Sequence, residues 1–284
     1  MSRLSRLMSR VQLIKGKHAV STAVAKTDRP REFLADPSFE NSRALLLDYD
    51  GTIAPFATDR SRAYPYDTIP ELLDMIMTDC DTRVVVISGR PVREISDLLN
   101  TATLPEIWGC HGLERLRCDG QYSCQPLDLQ TEMALRHACE QLESGGLEEL
   151  AESKAGCVTV HWRGLSLKHV EEAKSAAYRH LGKFAGQAGL LLSECDGGLE
   201  LRSRKCNKVR AVEAVLAELS PECPVAYLGD DATDEDAFRA LNSRGLTILV
   251  RPTYHFTAAQ FWLRPPDELE RFLRDWIRAC EGEL

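Results

Sequence analysis

The chain has 284 residues, 44% hydrophobic and 27% charged, with a formal net charge of -8. This is the composition of a globular protein with core enough for one or two domains. The acid excess argues against nucleic acid as the main partner, because phosphate backbones demand basic patches. No apolar stretch is long enough to span a bilayer.

Residues 1–40 stand apart, with Arg3, Arg6, Arg10, Lys15, Lys17, Lys26, Arg29 and Arg31 facing almost no acid. They read as a basic, disordered extension, as an Arg- and Ser-rich segment resembling a transit peptide, or as an overlong gene model. From Ala44 the chain alternates strand and helix. Ala44-Leu45-Leu46-Leu47 reads as a buried parallel strand running straight into Asp48-Tyr49-Asp50-Gly51-Thr52. Thr68 can cap a helix with Pro70 in its first turn, ending near Asp79. Arg83–Ile87 is a second strand, Ser88-Gly89-Arg90 its exit, and Pro91 opens the next helix. Glu106–Cys110 is a short third strand. The order βαβαβ predicts a right-handed, doubly wound parallel sheet.

The pattern then changes. Arg115–Cys118 and Gln121–Cys124 form a hairpin about Asp119-Gly120. A helix from Leu129 to Leu150, bent near Gly145-Gly146, precedes the alternating strand Val158–Arg163. A helix from Lys168 to Gly182 and strands Leu190–Ser193 and Leu199–Arg202 follow. The doubly wound order resumes with the helix Lys208–Leu219, the strand Val225–Leu228, the turn Gly229–Asp234, the helix Glu235–Leu241, the strand Leu246–Val250 and a helix from Pro266 to Ala279. The expected division is a basic extension over 1–40, an α/β core over 41–112 and 200–284, and an inserted α+β cap over 113–199.

The 10 cysteines show no paired metal spacing and no secretory signal precedes them, so reduced thiols and a cytoplasmic location are expected. Cys118 and Cys124 could face each other across the hairpin, but a disulfide there is disfavoured in a reducing compartment.

Four strand or helix ends carry chemistry. Asp48 and Asp50 crowd the first exit, so they need a cation or a shared proton. Ser88 sits at the second, Lys208 starts a helix, and Asp230, Asp231 and Asp234 occupy the fourth. Ligands in open α/β sheets bind outside the carboxyl ends of strands. Each residue also has a plain reading: Ser88 as a helix cap, Lys208 as a surface lysine, and Asp230 to Asp234 as a capped turn.

In this order the four ends resemble the motifs of the haloacid dehalogenase superfamily. Finer matches resemble the trehalose-6-phosphate phosphatases: Asp48–Pro55, Ser88-Gly89-Arg90, His111-Gly112-x-Glu114, and Gly229–Phe238. Glu152-Ser153-Lys154, His161-Trp162-Arg163 and Leu199–Arg202 resemble that family's cap. The resemblance implies hydrolysis of trehalose 6-phosphate, with Asp48 as nucleophile and Asp50 as acid and base. It implies that Ser88 and Lys208 hold the phosphoryl group, and that Asp48, Asp50 and Asp230 bind Mg²⁺ with Asp234 behind them. Arg90, His111, Gly112, Glu114, Glu152, Lys154, Arg163 and Glu200 would bind the sugar. The third motif departs from the family, with Val209 after Lys208 and Lys205 nearby, so either lysine could serve. A related sugar phosphatase, such as one acting on glucosylglycerol phosphate, and a silent regulator of a synthase partner are the alternatives.

Overall fold

The computed structural model describes residues 29–40, 42–195, 197–241 and 243–283. The basic segment 1–28 lies outside the described residues. Helix α1 (Arg29–Leu34) precedes β1 (Arg43–Asp48), α2 (Ile69–Thr78), β2 (Thr82–Ile87), α3 (Val92–Leu99) and β3 (Glu106–Gly109). The hairpin β4 (Glu114–Leu116) and β5 (Tyr122–Cys124) leads to α4 (Leu129–Ser144), β6 (Ala151–Lys154), β7 (Cys157–His161), α5 (Leu167–Leu181), β8 (Leu190–Cys195) and β9 (Gly198–Ser203). The chain closes with α6 (Lys208–Glu218), β10 (Val225–Gly229), α7 (Ala232–Leu241), β11 (Leu246–Val250), β12 (Phe261–Leu263) and α8 (Asp267–Glu281).

The fold is α/β, with an eight-stranded, mainly parallel sheet and a separate four-stranded antiparallel one. The large sheet is ordered β12-β11-β10-β1-β2-β3-β4-β5, so the winding reverses at β1. Its buried strands read as near-continuous apolar runs because helices cover both faces. On β1, Leu45 and Leu47 pack toward α2, α3 and α8, while Ala44 and Leu46 pack toward α6 and α7. The small sheet runs β6-β7-β9-β8, and its Val158, Val160, Leu199 and Leu201 pack on α4 and α5. The alternate residues Glu152, Thr159 and Glu200, in register across β6, β7 and β9, lie on the other face.

Several expectations change. The hairpin expected within the insertion pairs β4 antiparallel to β3 and so extends the large sheet. Cys124 pairs with Glu114 and not with Cys118, and all ten cysteines are free. Thr68 makes no side-chain cap, and its buried hydroxyl has no partner among the described residues, because it is itself helical, which turns the hydroxyl from the first-turn amides. The helix at the fourth motif begins at Ala232, so Asp234 lies in its first turn. The strands β6 and β12 were not legible as strands: one is polar and partly exposed, the other three residues long.

Residues 29–40, read as part of the extension, are structured. Leu34 and Phe39 are buried, and Phe39 packs edge-on against Trp276 of α8 at 4.8 Å between ring centroids. Phe33 and Phe272 complete that aromatic cluster. Trp276 is fully buried, so Trp276→Ala is expected to cost about 3–5 kcal/mol of unfolding free energy. Urea denaturation measures this; a loss below about 1 kcal/mol would show that the N-terminal segment and α8 do not share a core.

Candidate active site

The loop after β1 turns at once. Tyr49 carbonyl oxygen accepts from the amides of Ile53 and Ala54 at 3.1 and 3.0 Å, and Gly51 donates to the Ala54 carbonyl at 2.7 Å. Gly51 has φ +88°, and a Cβ there would lie 2.3 Å from Asp230 Oδ2. Glycine is thus required both by the backbone and by the approach of the neighbouring strand end. This turn presents Asp48 beside Asp230, which follows β10, and Asp234 on α7. Lys208, the first residue of α6, reaches them because the Asn207 side chain caps that helix by accepting from the Val209 amide at 2.9 Å.

Lys208 Nζ donates to Asp48 Oδ1 at 2.6 Å and to Asp234 Oδ1 at 2.8 Å, and all three side chains are at most 5% exposed. Asp48 Oδ2 accepts from Thr52 at 3.0 Å. Asp234 also accepts from Tyr227 at 2.6 Å and from the amides of Asp230 and Asp231 at 3.1 and 3.2 Å. Asp234 is thereby fully used by donors. Among the described residues no donor hydrogen-bonds the Asp230 carboxylate, and Arg251 Nη1 stands 3.8 Å from it.

One ammonium cannot offset this many buried carboxylates. Burial pushes Asp48 up to about 8 despite Lys208, with Asp234 and Asp231 adding to the rise. Burial followed by the charges of Asp48 and Asp231 pushes Asp230 up to about 10. Burial opposes the charge on Lys208, but Asp234 and Asp48 outweigh it and hold the lysine protonated. Ligand oxygens of Asp48, Asp230 and Asp234 lie within 4.8 Å of one another. An all-oxygen, over-charged cluster fits a hard divalent cation. Lys205 lies elsewhere, with Nζ 3.8 Å from Asp128 and the side chain 44% exposed.

Asp50 is not part of this cluster. Arg90, 2% exposed, forks both its oxygens, with Nε to Oδ2 at 2.7 Å and Nη2 to Oδ1 at 2.8 Å. Ser88 closes the loop by accepting the Arg90 amide at 3.1 Å. Asp48, Asp50, Ser88, Arg90, His111, Lys154, Arg163, Glu200, Lys208 and Asp230 all line one cavity of ≈ 120 Å³ between the two sheets. His111 reaches it from a left-handed stretch in which Cys110, His111 and Gly112 have φ 48°, 54° and 91°.

The small sheet closes the cavity with charge. His111 Nε2 lies 3.4 Å from Glu200 Oε2, and Lys154 Nζ donates to the Gly89 carbonyl at 3.4 Å. Burial pushes Glu200 up, but His111, Lys154 and Arg202 outweigh it and hold it down at about 2. Glu152 is bound by Arg60 of the loop after β1, by His161 at 2.7 Å and by Lys154 at 3.2 Å. Arg163 stacks over Phe56 at 5.0 Å.

Two expected sugar ligands do other work. Glu114 accepts the Val92 amide at 2.9 Å and the Tyr122 hydroxyl at 3.2 Å, so it caps α3 from behind the Arg90 loop and does not line the cavity. Gly112 packs against the cap of α6, where a Cβ would meet the Asn207 carbonyl at 3.0 Å. Glu152 borders a larger adjoining cavity of ≈ 690 Å³. Arg60 and Thr159 also line the cavity, beyond the residues the sequence pointed to. Thr159 Oγ1 and His111 Nδ1 are buried without hydrogen-bond partners among the described residues, which leaves them available to a polar ligand. Thr159 was legible in principle, since it alternates with the core-facing Val158 and Val160.

The family described as trehalose-phosphatase matches residues 46–263. The probable trehalose-phosphate phosphatase C of Arabidopsis thaliana is 30% identical over 265 residues, covering 84% of this chain and 79% of that protein. An uncharacterized glycosyl hydrolase of Mycobacterium tuberculosis is 32% identical over 255 residues, but these span only 18% of its length. The solved C-terminal domain of the Candida albicans trehalose-6-phosphate phosphatase superposes with a TM-score of 0.72 at 19% identity, covering 90% of this chain and 97% of that one.

The carboxylate cluster fixes a pH response. Aspartates in the unfolded chain titrate near 3.8, whereas folded Asp48 titrates at about 8. Between these values the folded chain holds a proton the unfolded chain has lost, so rising pH favours unfolding. Cation-free protein is expected to lose stability from about pH 4 to about pH 8, and a divalent cation to remove much of that loss. Urea midpoints across this range, with and without Mg²⁺, measure it; profiles unmoved by the cation would contradict the metal-site assignment.

Proposed function

We propose that this chain, which belongs to the trehalose-phosphatase family of the haloacid dehalogenase superfamily, is a Mg²⁺-dependent phosphatase that releases trehalose from trehalose 6-phosphate. The observation that carries this reading is the Lys208–Asp48 pair at the point where the sheet winding reverses, beside the buried Asp230.

Asp48 is the nucleophile. Its carboxylate forms a bond to phosphorus while the bond to the sugar oxygen breaks, leaving an aspartyl-phosphate. Thr52 and Lys208 fix its rotamer. Lys208 and the Ser88 hydroxyl face the space where the phosphoryl oxygens would sit, and an ammonium there is worth most in the dry cavity. Asp48, the Asp50 carbonyl and Asp230 would hold Mg²⁺, with Asp234 fixing Lys208 and the loop from behind. When bound, Mg²⁺ offsets the carboxylate charge and polarises the phosphoryl group.

Asp50 gives a proton to the departing sugar oxygen and later takes one from the water that attacks phosphorus. Both its oxygens are held by Arg90, so one must leave the fork before it can serve. The sugar meets the polar face of the small sheet, where Lys154, Thr159, Arg163 and Glu200 line the cavity. Many hydroxyls and little apolar surface call for such charged and polar groups.

Phosphate release from trehalose 6-phosphate, with and without EDTA, tests the reading. Turnover is expected to require Mg²⁺ and to exceed that on other sugar phosphates by at least about tenfold in kcat/KM. A tenfold preference for another ester would overturn the substrate assignment. Asp48→Asn is expected to abolish turnover while leaving weak Mg²⁺ binding. Lys208→Ala is expected to lower kcat by about 100-fold or more, with Lys205→Ala near the unaltered chain; equal losses would leave Lys208 without its role.

A further inference from the structure

The ≈ 120 Å³ cavity at Asp48 is smaller than the roughly 300–1,000 Å³ of sites that enclose a small molecule. It has room for the phosphoryl end of a sugar phosphate but not for two rings. The adjoining cavity of ≈ 690 Å³ falls inside that range. The two share Arg60, Arg90, His161 and Arg163 as walls, so they are neighbours across one partition. The larger cavity lies between the core and the small-sheet unit. Tyr64 enters it from the loop after β1, Glu94 and Asp97 from α3, and Glu149 from the turn before β6. Glu94 and Asp97 are three residues apart, so α3 presents both on one face.

The partition is a three-residue cluster. Arg60 Nη1 binds Glu152 Oε2 and stands 2.9 Å from His161 Nε2, which is itself 2.7 Å from Glu152 Oε2. A ring nitrogen donates or accepts but does not do both. Arg60 and Glu152 therefore compete for one His161 atom, and the cluster can rearrange by exchanging partners. The Arg60 carbonyl accepts from Arg90 Nη1 at 2.9 Å, so its backbone stays tied to the core when its side chain turns.

The lining selects a kind of ligand. Glu94, Asp97, Glu149 and Glu152 set four carboxylates around the larger cavity, against the guanidiniums of Arg60, Arg90 and Arg163. Arg60 is engaged by Glu152, and Arg90 by Asp50. A second phosphate would meet the carboxylates with those two arginines already committed, and a cationic group would meet the arginines. A neutral polyhydroxyl ring meets neither penalty: its hydroxyls donate to the carboxylates, and Tyr64, 54% exposed, offers it an apolar ring face. We propose that this cavity is the subsite for the second, unphosphorylated ring of the substrate, joined to the phosphate cavity when Arg60 leaves Glu152 and His161 and turns to the ring hydroxyls. The assignment rests on the phosphatase reading above and sharpens it. The favoured esters carry two rings, and Tyr64, Asp97 and Glu149, which lie outside the motifs read from the sequence, set that preference.

The test is kcat/KM of the full-length chain with Mg²⁺ on glucose 6-phosphate, trehalose 6-phosphate and sucrose 6-phosphate, compared with Tyr64→Ala and Asp97→Ala. Both residues are exposed, so neither change threatens the fold. The unaltered chain is expected to favour a two-ring ester over glucose 6-phosphate, and each substitution to lower that ratio by about tenfold. A selective loss on sucrose 6-phosphate instead of trehalose 6-phosphate would support the subsite while removing the trehalose assignment. Equal losses on one-ring and two-ring esters, or no loss on either, would overturn the subsite and leave the phosphatase reading standing. No turnover of any of the three would overturn both.

Discussion

The fold converges on one electrostatic constraint: a single buried ammonium, Lys208, faces more carboxylate charge than it can neutralise. Asp48 and Asp234 both bond to it, and Asp230 stands within reach of the same space, with Arg251 3.8 Å away and no hydrogen-bond donor among the described residues. Buried carboxylates repel and lose hydration, so they hold protons unless a further cation arrives. The arrangement is tolerable only because the surroundings are built to hold it. Tyr227 and two loop amides secure Asp234, Asn207 aims Lys208, and Gly51 leaves room for Asp230. The crowding of these charges is also what suits the site to a hard divalent cation.

A second ionic layer lies above the first. The polar face of the small sheet meets the loops after β1, β2 and β3 through Glu152, Lys154 and Glu200, each matched to a basic or carbonyl partner on the other side. Groups suited to hydroxyl recognition are thus satisfied by one another. A polar ligand entering the ≈ 120 Å³ cavity would exchange those pairs for its own groups, which would couple recognition to separation of the two sheets. The Arg90–Asp50 fork belongs to this logic, because both Asp50 oxygens are held until something displaces them.

Most of this architecture was readable from the order of residues. The apolar run before Asp48 and the alternation of strand and helix defined the sheet, because buried parallel strands leave unmistakable patterns. The four motif positions came together as their order implied. The sequence was silent where tertiary contact decides. Glu114 looks like a ligand in its motif, yet it serves the amide of Val92. Thr68 looks like a cap, yet its own backbone is helical. Arg60 carries no local signal, and its place at the cavity depends on a loop meeting a sheet ninety residues away. Residues 29–40 read as a continuation of the basic tail, because the two aromatic residues that pack on α8 are too sparse to form a periodic pattern.

The most direct test of Asp48 as the covalent nucleophile is to quench turnover of trehalose 6-phosphate with borohydride and map the chain by mass spectrometry. An acyl phosphate at Asp48 would be reduced, so the account predicts homoserine at position 48 and nowhere else, formed only with substrate present. Unmodified Asp48 during active turnover, or reduction at another aspartate, would contradict it.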